Sequence, residues 1–452
     1  MNKQDLEHHF ESNQKSFIEN WKQFLSFQSV STDSAFEQEC LNCATWLEQF
    51  LATIGFEVEQ LSTPGKPVVY AQRLIDESKP TVLFYGHYDV QPPDPLELWE
   101  TPPFEPQIRD GKMYARGAMD NKGQVIFVLS AIETLIKYDA LSCNLKIILE
   151  GEEEMGSGGI AEAMSAWVDK LKADTLMVAD TGMVPSGAPT ITMGLRGIAS
   201  MEIELSGPNS DLHSGVFGGI VQNPAHSICS LINSFHNKDG SVAIEGFYDG
   251  VSATDKKTKE LLESVPFESQ WLEALTGTTA SGGEKDFSVW ERGGLRPTLE
   301  VNGLWSGYTG EGDKTIIPSK AGAKITLRTV VGQNAPSLVE KVKAHCEKYL
   351  QDGVRLTFEC REDGGGALLL DSHSPMIEKV VPILDSLTSH KTAYRWEGGS
   401  IPIVAKLSQL AGAEPLLVGF GMSEDAMHAP NESFALDRFK LGYLYAGMFL
   451  SL

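Results

Sequence analysis

Histidine and carboxylate residues gather in this chain at the ends of apolar runs. The clusters are His87-Tyr88-Asp89, Gly117-Ala118-Met119-Asp120-Asn121, Glu152-Glu153-Glu154, Asp180, Asp211-Leu212-His213-Ser214-Gly215 and Ala426-Met427-His428. Imidazole and carboxylate groups drawn from distant segments are what a divalent metal takes, and few other duties call for that mix. His87 and Asp89 stand two apart where a strand ends, so Asp89 can take one ring N–H while the other ring nitrogen binds an ion. Asp120 precedes a helix, a position suited to an N-cap and equally to a carboxylate bridging two ions. Three adjacent carboxylates at 152–154 repel one another unless a cation compensates. Neighbouring side chains diverge, so one glutamate can ligate while the next faces a water as general base.

Taken singly, each of these is an ordinary strand-end or loop residue. Together, two histidines and three carboxylates serve two ions, each with one histidine and one terminal carboxylate, and with one aspartate shared. Two divalent cations, three carboxylates and one hydroxide sum to zero, so the cluster can be buried. Water between such ions loses a proton near neutral pH and can attack a carbonyl. Zinc ranks first for this ligand set, with manganese the alternative.

The elements that must bring these residues together are legible in outline. Apolar spacing of three and four predicts helix from about residue 15 to 55, with Gly55 as its stop. Strand-type runs follow at 67–71, 81–85, 145–149 and 175–179, with an amphipathic helix from Gln124 to Tyr138 between the second and third. Strands buried on both sides and alternating with helices predict an α/β sheet with a largely parallel core. From Gly197 the pattern changes to strict alternation, at 200–205 and again at 323–328, with helices at 225–235 and 336–350. That predicts a sheet exposed on one face, an α+β unit. After Gly364-Gly365-Gly366, a natural hinge, buried-type segments return at 402–404 and 415–420. The expected organisation is a catalytic domain in two parts, 1–196 and 367–452, with a lid or dimerisation domain inserted at 197–366.

Bulk properties set limits. At 452 residues the chain is long enough for two or three domains. A net charge of −24 argues against nucleic acid and anionic membrane surfaces as partners. No apolar run of about 18 residues predicts a transmembrane helix, and the polar first residues lack the apolar core of a signal peptide, so the expected address is the cytoplasm. Six cysteines are too few for a disulfide scaffold, and Cys40 and Cys43 fall on a predicted helix face rather than in a redox or zinc pair.

In order along the chain, HYDVQP at 87–92, LWETPPFEP at 98–106, YARGAMDNKGQ at 114–124, LEGEEEMGSGG at 149–159, DLHSGVFGG at 211–219, KTIIPSKA at 314–321 and EGGSIPI at 397–403 resemble the M20 family of dinuclear metallopeptidases, most closely its carnosinase-like (cytosolic non-specific dipeptidase) branch. The resemblance implies a zinc-peptidase-like catalytic domain with a mixed, mostly parallel sheet and an inserted ferredoxin-like lid. It implies that His87 and Asp180 hold one metal, Glu154 and His428 the other, with Asp120 bridging and Asp89 clamping His87. Glu153-Glu154-Met155-Gly156-Ser157 matches the family's Glu-Glu-x-Gly-Ser, which makes Glu153 the base and leaves Glu152 over. His213 matches an oxyanion-stabilising residue reaching into a partner subunit of a homodimer. Thr315 matches a lid residue of similar role, Arg328 one gripping the substrate's terminal carboxylate, and Gly399 and Ser400 substrate contacts. Two departures stand out: Met119 where a small residue is common, and Ser374 where carnosinase-like members often carry histidine. The implied activity is hydrolysis of a dipeptide with a free carboxylate. The alternatives are deacylation of N-acyl amino acids and an inactive binding homologue. A serine hydrolase is disfavoured because no G-x-S-x-G occurs.

Overall fold

The computed structural model describes residues 1–361 and 365–452, so Gly364 of the glycine run lies outside the described residues. Four apolar runs form adjacent parallel strands in the order Asn144–Glu150, Thr81–His87, Thr175–Val178 and Glu414–Leu417. The first three are buried almost end to end, as strands covered on both faces must be. Antiparallel neighbours extend this core: Val68–Arg73 and Glu57–Leu61 on one side, Thr190–Leu195 on the other. With Leu368–Leu369 and Ala393–Glu397 they complete a nine-stranded mixed sheet. The parallel strands all end at one edge, where ligands bind in open α/β sheets.

The expected single helix from 15 to 55 is two helices, Lys3–Ser26 and Glu37–Thr53. The break carries Ser29, whose Oγ donates to Tyr88 O at 2.6 Å, and Ser31, whose Oγ donates to Asp89 Oδ2 at 2.6 Å. Serines compete for backbone partners and weaken a helix, and Asp33 then caps the short turn that leads into the second helix. Gly55 does follow the second helix, with a φ of +95° that other residues rarely adopt. Cys40 and Cys43 lie inside that helix, fully buried; burial pushes their thiols up to about 12 and about 11, which makes them inert packing residues.

The helix expected at 124–138 runs from Lys122 to Lys137, but it is buried nearly all round rather than amphipathic. Its neighbours are the helices Lys3–Ser26 and Leu436–Leu450, and several of its buried polar side chains find partners. Gln124, for example, donates to Thr181 O at 3.3 Å and accepts from the Phe420 N–H at 2.8 Å. Of the two returning segments, 415–420 supplies the strand Glu414–Leu417, whereas 402–404 leads into the helix Val404–Ala411.

The second sheet is fully antiparallel, in the order Thr298–Ser306, Lys320–Thr329, Gly197–Ser206, Arg355–Arg361. Gly197–Ser206 alternates buried and half-buried residues along its whole length, the two-period pattern expected of a one-sided sheet. The helices Pro224–Asn233 and Ala335–Lys348 pack on it. Chain order is strand, helix, two strands, helix, strand, the ferredoxin-like arrangement. Its core, with Met201, Ile203, Leu205, Ile325 and Val342, is separate from that of the large sheet. One excursion from the small sheet crosses back. The helices Lys256–Glu263 and Val289–Gly294 pack against the strand Ala393–Glu397, and Leu262 joins the large core.

Candidate active site

His87 ends its strand fully buried, with Nδ1 facing Asp89 at 3.1 Å from the backbone oxygen and 3.3 Å from Oδ1. That contact turns Nε2 the other way, to 3.2 Å from Asp120 Oδ1 and 3.8 Å from Asp180 Oδ1. The second oxygen of Asp120 meets a different histidine: His428 Nε2 lies 2.8 Å from Asp120 Oδ2 and 3.3 Å from Glu154 Oε2. Two triads result, His87/Asp120/Asp180 and Asp120/Glu154/His428, and within each the ligand atoms lie within 4.8 Å of one another. Ligands at about 2.0–2.1 Å from one tetrahedral ion sit roughly 3.3 Å apart, so both triads fit a metal ion.

The electrostatics fit as well. Burial, then the charges of Asp180, Glu154 and Asp120, lift the Glu153 carboxyl well above its ordinary range against the pull of His87. Asp180 is lifted likewise, by burial and then by Asp120 and Glu154. Asp120 goes the other way: burial opposes its charge, but bonds to His428 and His87 overcome it. His428 is pushed up to about 10 by its bonds to Asp120 and Glu154. A site in which some carboxyls are driven toward protonation and the histidines toward cations is short of positive charge, which divalent ions supply.

The three glutamates separate. Glu153 and Glu154 face the same cleft as Asp120, Asp180 and His428, whereas Glu152 turns away, and its Oε2 accepts the Gly159 N–H at 3.2 Å. A Cβ at Gly65 would lie 1.9 Å from Glu152 Oε1, so the glycine makes room for that carboxylate. Asp89 reaches this turn too: its Oδ1 accepts the Glu153 N–H at 3.2 Å and its Oδ2 the Glu154 N–H at 3.1 Å. One carboxylate thus orients the His87 ring and anchors the acidic turn.

Asp120 is not the helix N-cap; Asn121 occupies that position and makes no side-chain cap bond. The Asn121 amide donates to Asp180 Oδ1 and to Ala179 O, each at 2.8 Å, and its oxygen accepts the His87 N–H at 3.3 Å. Gln91 donates to Glu154 Oε2 at 2.7 Å. Neither residue had a role assigned from sequence, although both lie inside the motif stretches. Arg395 and Glu397, ion-paired at 3.1 Å, also line the cleft and had none.

The cleft encloses about 580 Å³ and continues to Arg328, Gly399 and Ser400. That is within the roughly 300–1,000 Å³ of small-ligand sites. Arg328 Nη1 donates to Ser400 Oγ at 3.2 Å and makes no ion pair among the described residues, which leaves its charge available to a ligand. His213 and Thr315 do not line this cleft. Both are exposed, on adjoining segments of the small sheet's periphery: the strand Leu212–His213 pairs with Ile316–Ile317, and His213 Nδ1 accepts the Gly215 N–H at 3.1 Å. Met119 packs where a Cβ on Gly421 would lie 2.7 Å from its sulfur, so the larger residue is matched by a glycine opposite. Ser374 is buried away from the cleft, capping the helix Pro375–Leu387 through the Met376 N–H at 3.0 Å and bonded to Glu414.

A two-triad cleft at the carboxyl edge of an α/β sheet, with the carboxyl of Glu153 beside it, is the architecture of a metal-dependent hydrolase. The family model for peptidase family M20/M25/M40 matches residues 83–450, and the chain belongs to that family. It is 30% identical to the Cys-Gly metallodipeptidase DUG1 of Candida albicans, over 96% of this chain and 94% of that one. It is 27% identical to the Beta-Ala-His dipeptidase of Mus musculus, over 99% and 95% of the two chains. The M20 family metallo-carboxypeptidase Sso-CP2 from Sulfolobus solfataricus superimposes with a TM-score of 0.86 at 29% identity, covering 96% of this chain and 98% of that one. The family and the carnosinase-like branch expected from the motifs are both borne out.

Proposed function

We propose that this chain is a metal-dependent dipeptidase, cleaving the amide bond of a dipeptide that carries a free carboxylate. The observation that carries the reading is Asp120, whose two carboxylate oxygens face two different histidines in a cleft that also holds Glu153 and Arg328, which makes no ion pair among the described residues. The similarity to the Cys-Gly and Beta-Ala-His dipeptidases supports it. His87 and Asp180 would hold one ion, Glu154 and His428 the other, with Asp120 shared; zinc is the first choice and manganese the second. When bound, such a pair supplies Lewis-acid activation of water and of the scissile carbonyl.

The chain's own residues do the rest. Glu153 takes a proton from the attacking water and hands it to the leaving amine as the C–N bond breaks. Its lifted proton affinity suits a group that must both accept and release a proton. Asp89 keeps the His87 ring in one orientation. Arg328, with Ser400 beside it and Gly399 in the same wall, grips the substrate's carboxylate, for which a planar guanidinium is suited. His213 and Thr315, being outside the chain's own cleft, would act on the partner's substrate in a two-fold homodimer, with the imidazole at the developing oxyanion. Residues 197–366 would form the domain that makes this exchange, inserted between catalytic parts 1–196 and 367–452. The cytoplasm is the proposed location.

The test is hydrolysis of a panel of dipeptides, their C-terminal amides and N-acetyl amino acids by protein stripped with chelator and then reloaded with Zn²⁺ or Mn²⁺. Metal-dependent cleavage of dipeptides but not of their amides is expected. Preference for N-acetyl amino acids would make the protein a deacylase, and full turnover by metal-free protein would end the two-ion mechanism.

A further inference from the structure

We propose that Glu432 is the positioning residue of the shared carboxylate Asp120, an inference that rests on the two-ion reading above. Glu432 is fully buried, and each of its carboxylate oxygens accepts two bonds. Oε2 accepts from Arg116 Nη1 and from the Gly117 N–H, both at 2.8 Å. Oε1 accepts from the Met119 N–H at 2.9 Å and the Asp120 N–H at 3.0 Å. The Glu432 carbonyl takes the Ala115 N–H at 3.1 Å as well, so one residue grips the 115–120 turn along its length. Arg116 is equally buried and donates from Nη2 to Pro92 O at 3.1 Å, so the buried charges cancel.

The chemistry of this contact is demanding. Four N–H groups converge on two oxygens, which only an ionised carboxylate can receive. A glutamine in its place would aim its NH₂ at two of those donors and leave Arg116 uncompensated. The consequence falls on Asp120, because a carboxylate that must offer one oxygen to each of two ions needs its backbone set within a narrow range. Glu432 sets it from the N–H side, before any ion arrives. It stands four residues beyond His428, so a single short segment delivers both a ligand of one triad and the clamp on the ligand common to both.

The experiment compares wild type with Glu432→Gln, Glu432→Asp and Asp120→Asn, each prepared metal-free and checked for folding by circular dichroism and gel filtration. Zn²⁺ affinity and stoichiometry are read by competition with a chromophoric chelator, and kcat and KM at saturating Zn²⁺. Folded Glu432→Gln should bind Zn²⁺ about 10–100-fold more weakly, with kcat lowered and KM nearly unchanged. Glu432→Asp, which keeps the charge but is one methylene shorter, should fall between the two. Wild-type Zn²⁺ affinity in folded Glu432→Gln would overturn the inference. Unchanged binding of two ions by Asp120→Asn would instead bring down the two-ion reading itself, which separates the two failures. Hydrogen exchange on the metal-free wild type needs no variant to fold. The Met119 and Asp120 amides should be protected as strongly as those of the strand Asn144–Glu150, and rapid exchange there would overturn the inference.

Discussion

The two triads share Asp120 and differ in almost everything else. His87 is fully buried at a strand end, its ring held by Asp89, and Asp180 is held by the Asn121 amide. His428 leaves 46% of its side chain exposed and, among the described residues, makes its contacts through Nε2. It sits on a loop where Ala426, His428 and Asn431 all adopt positive φ, a backbone state that costs non-glycine residues energy unless the surroundings enforce it. One half of the site is therefore a product of the sheet, whose parallel strands deliver ligands at a common edge. The other depends on a strained loop being docked. The lesson is that a two-ion site can be preorganised unequally, and the buried half should take its ion more tightly.

The largest effect should come from the element common to both halves. Asp120→Ala should abolish tight binding of both ions and lower kcat/KM by roughly 10⁴-fold or more. Retention of one tightly bound ion in a metal titration would mean that a single half is complete without the bridge.

Glu153 belongs to neither half. Glu153→Ala should lower kcat by about 10²–10⁴-fold, with both ions still bound by elemental analysis. Glu152→Ala, which removes a carboxylate turned toward Gly159, should leave kcat near wild type; a crippled Glu152→Ala enzyme would shift the base by one residue.

Asp89→Asn addresses the asymmetry directly. Weakening of the His87 ion by about 10–100-fold, read by chelator competition, should exceed any effect on the His428 ion. Equal weakening of the two would break the distinction between a sheet-built and a loop-built half. Because Asp89 also anchors the Glu153 and Glu154 amides, kcat should fall in the same variant.

The smallest effect is expected furthest from the cleft. Ser374→Ala removes a helix cap and should cost about 1 kcal/mol of stability in thermal or denaturant unfolding, with dipeptide preference unchanged. A changed preference would place residue 374 in substrate recognition despite its burial beside Glu414.

The candidate ligands were legible because their signals are local. A histidine two residues before an aspartate at the end of an apolar run, or adjacent acids after one, announces itself without knowledge of the fold, and strand ends are where chemistry is placed in such sheets. The alternation from 200 to 205 is similarly local, and the strand Gly197–Ser206 realises it. Other features have no local signal. The break between the first two helices follows from serines bonded to Tyr88 and Asp89, a contact spanning 58 and 59 residues. The burial of Lys122–Lys137 on nearly every side depends on helices from both ends of the chain. Ser374, which departs from the histidine common in carnosinase-like members, is a helix cap, because only the packed chain says which way a side chain points. Glu432 carries no periodicity and, although four residues beyond His428, no sign of its partners, yet it accepts four bonds from residues more than 300 positions away. The sequence by itself determined which side chains could bind ions, since ligand chemistry is a property of residue type. The tertiary structure alone decided which of them meet and how firmly each is held, since distances and hydrogen-bond partners arise only when remote segments pack together.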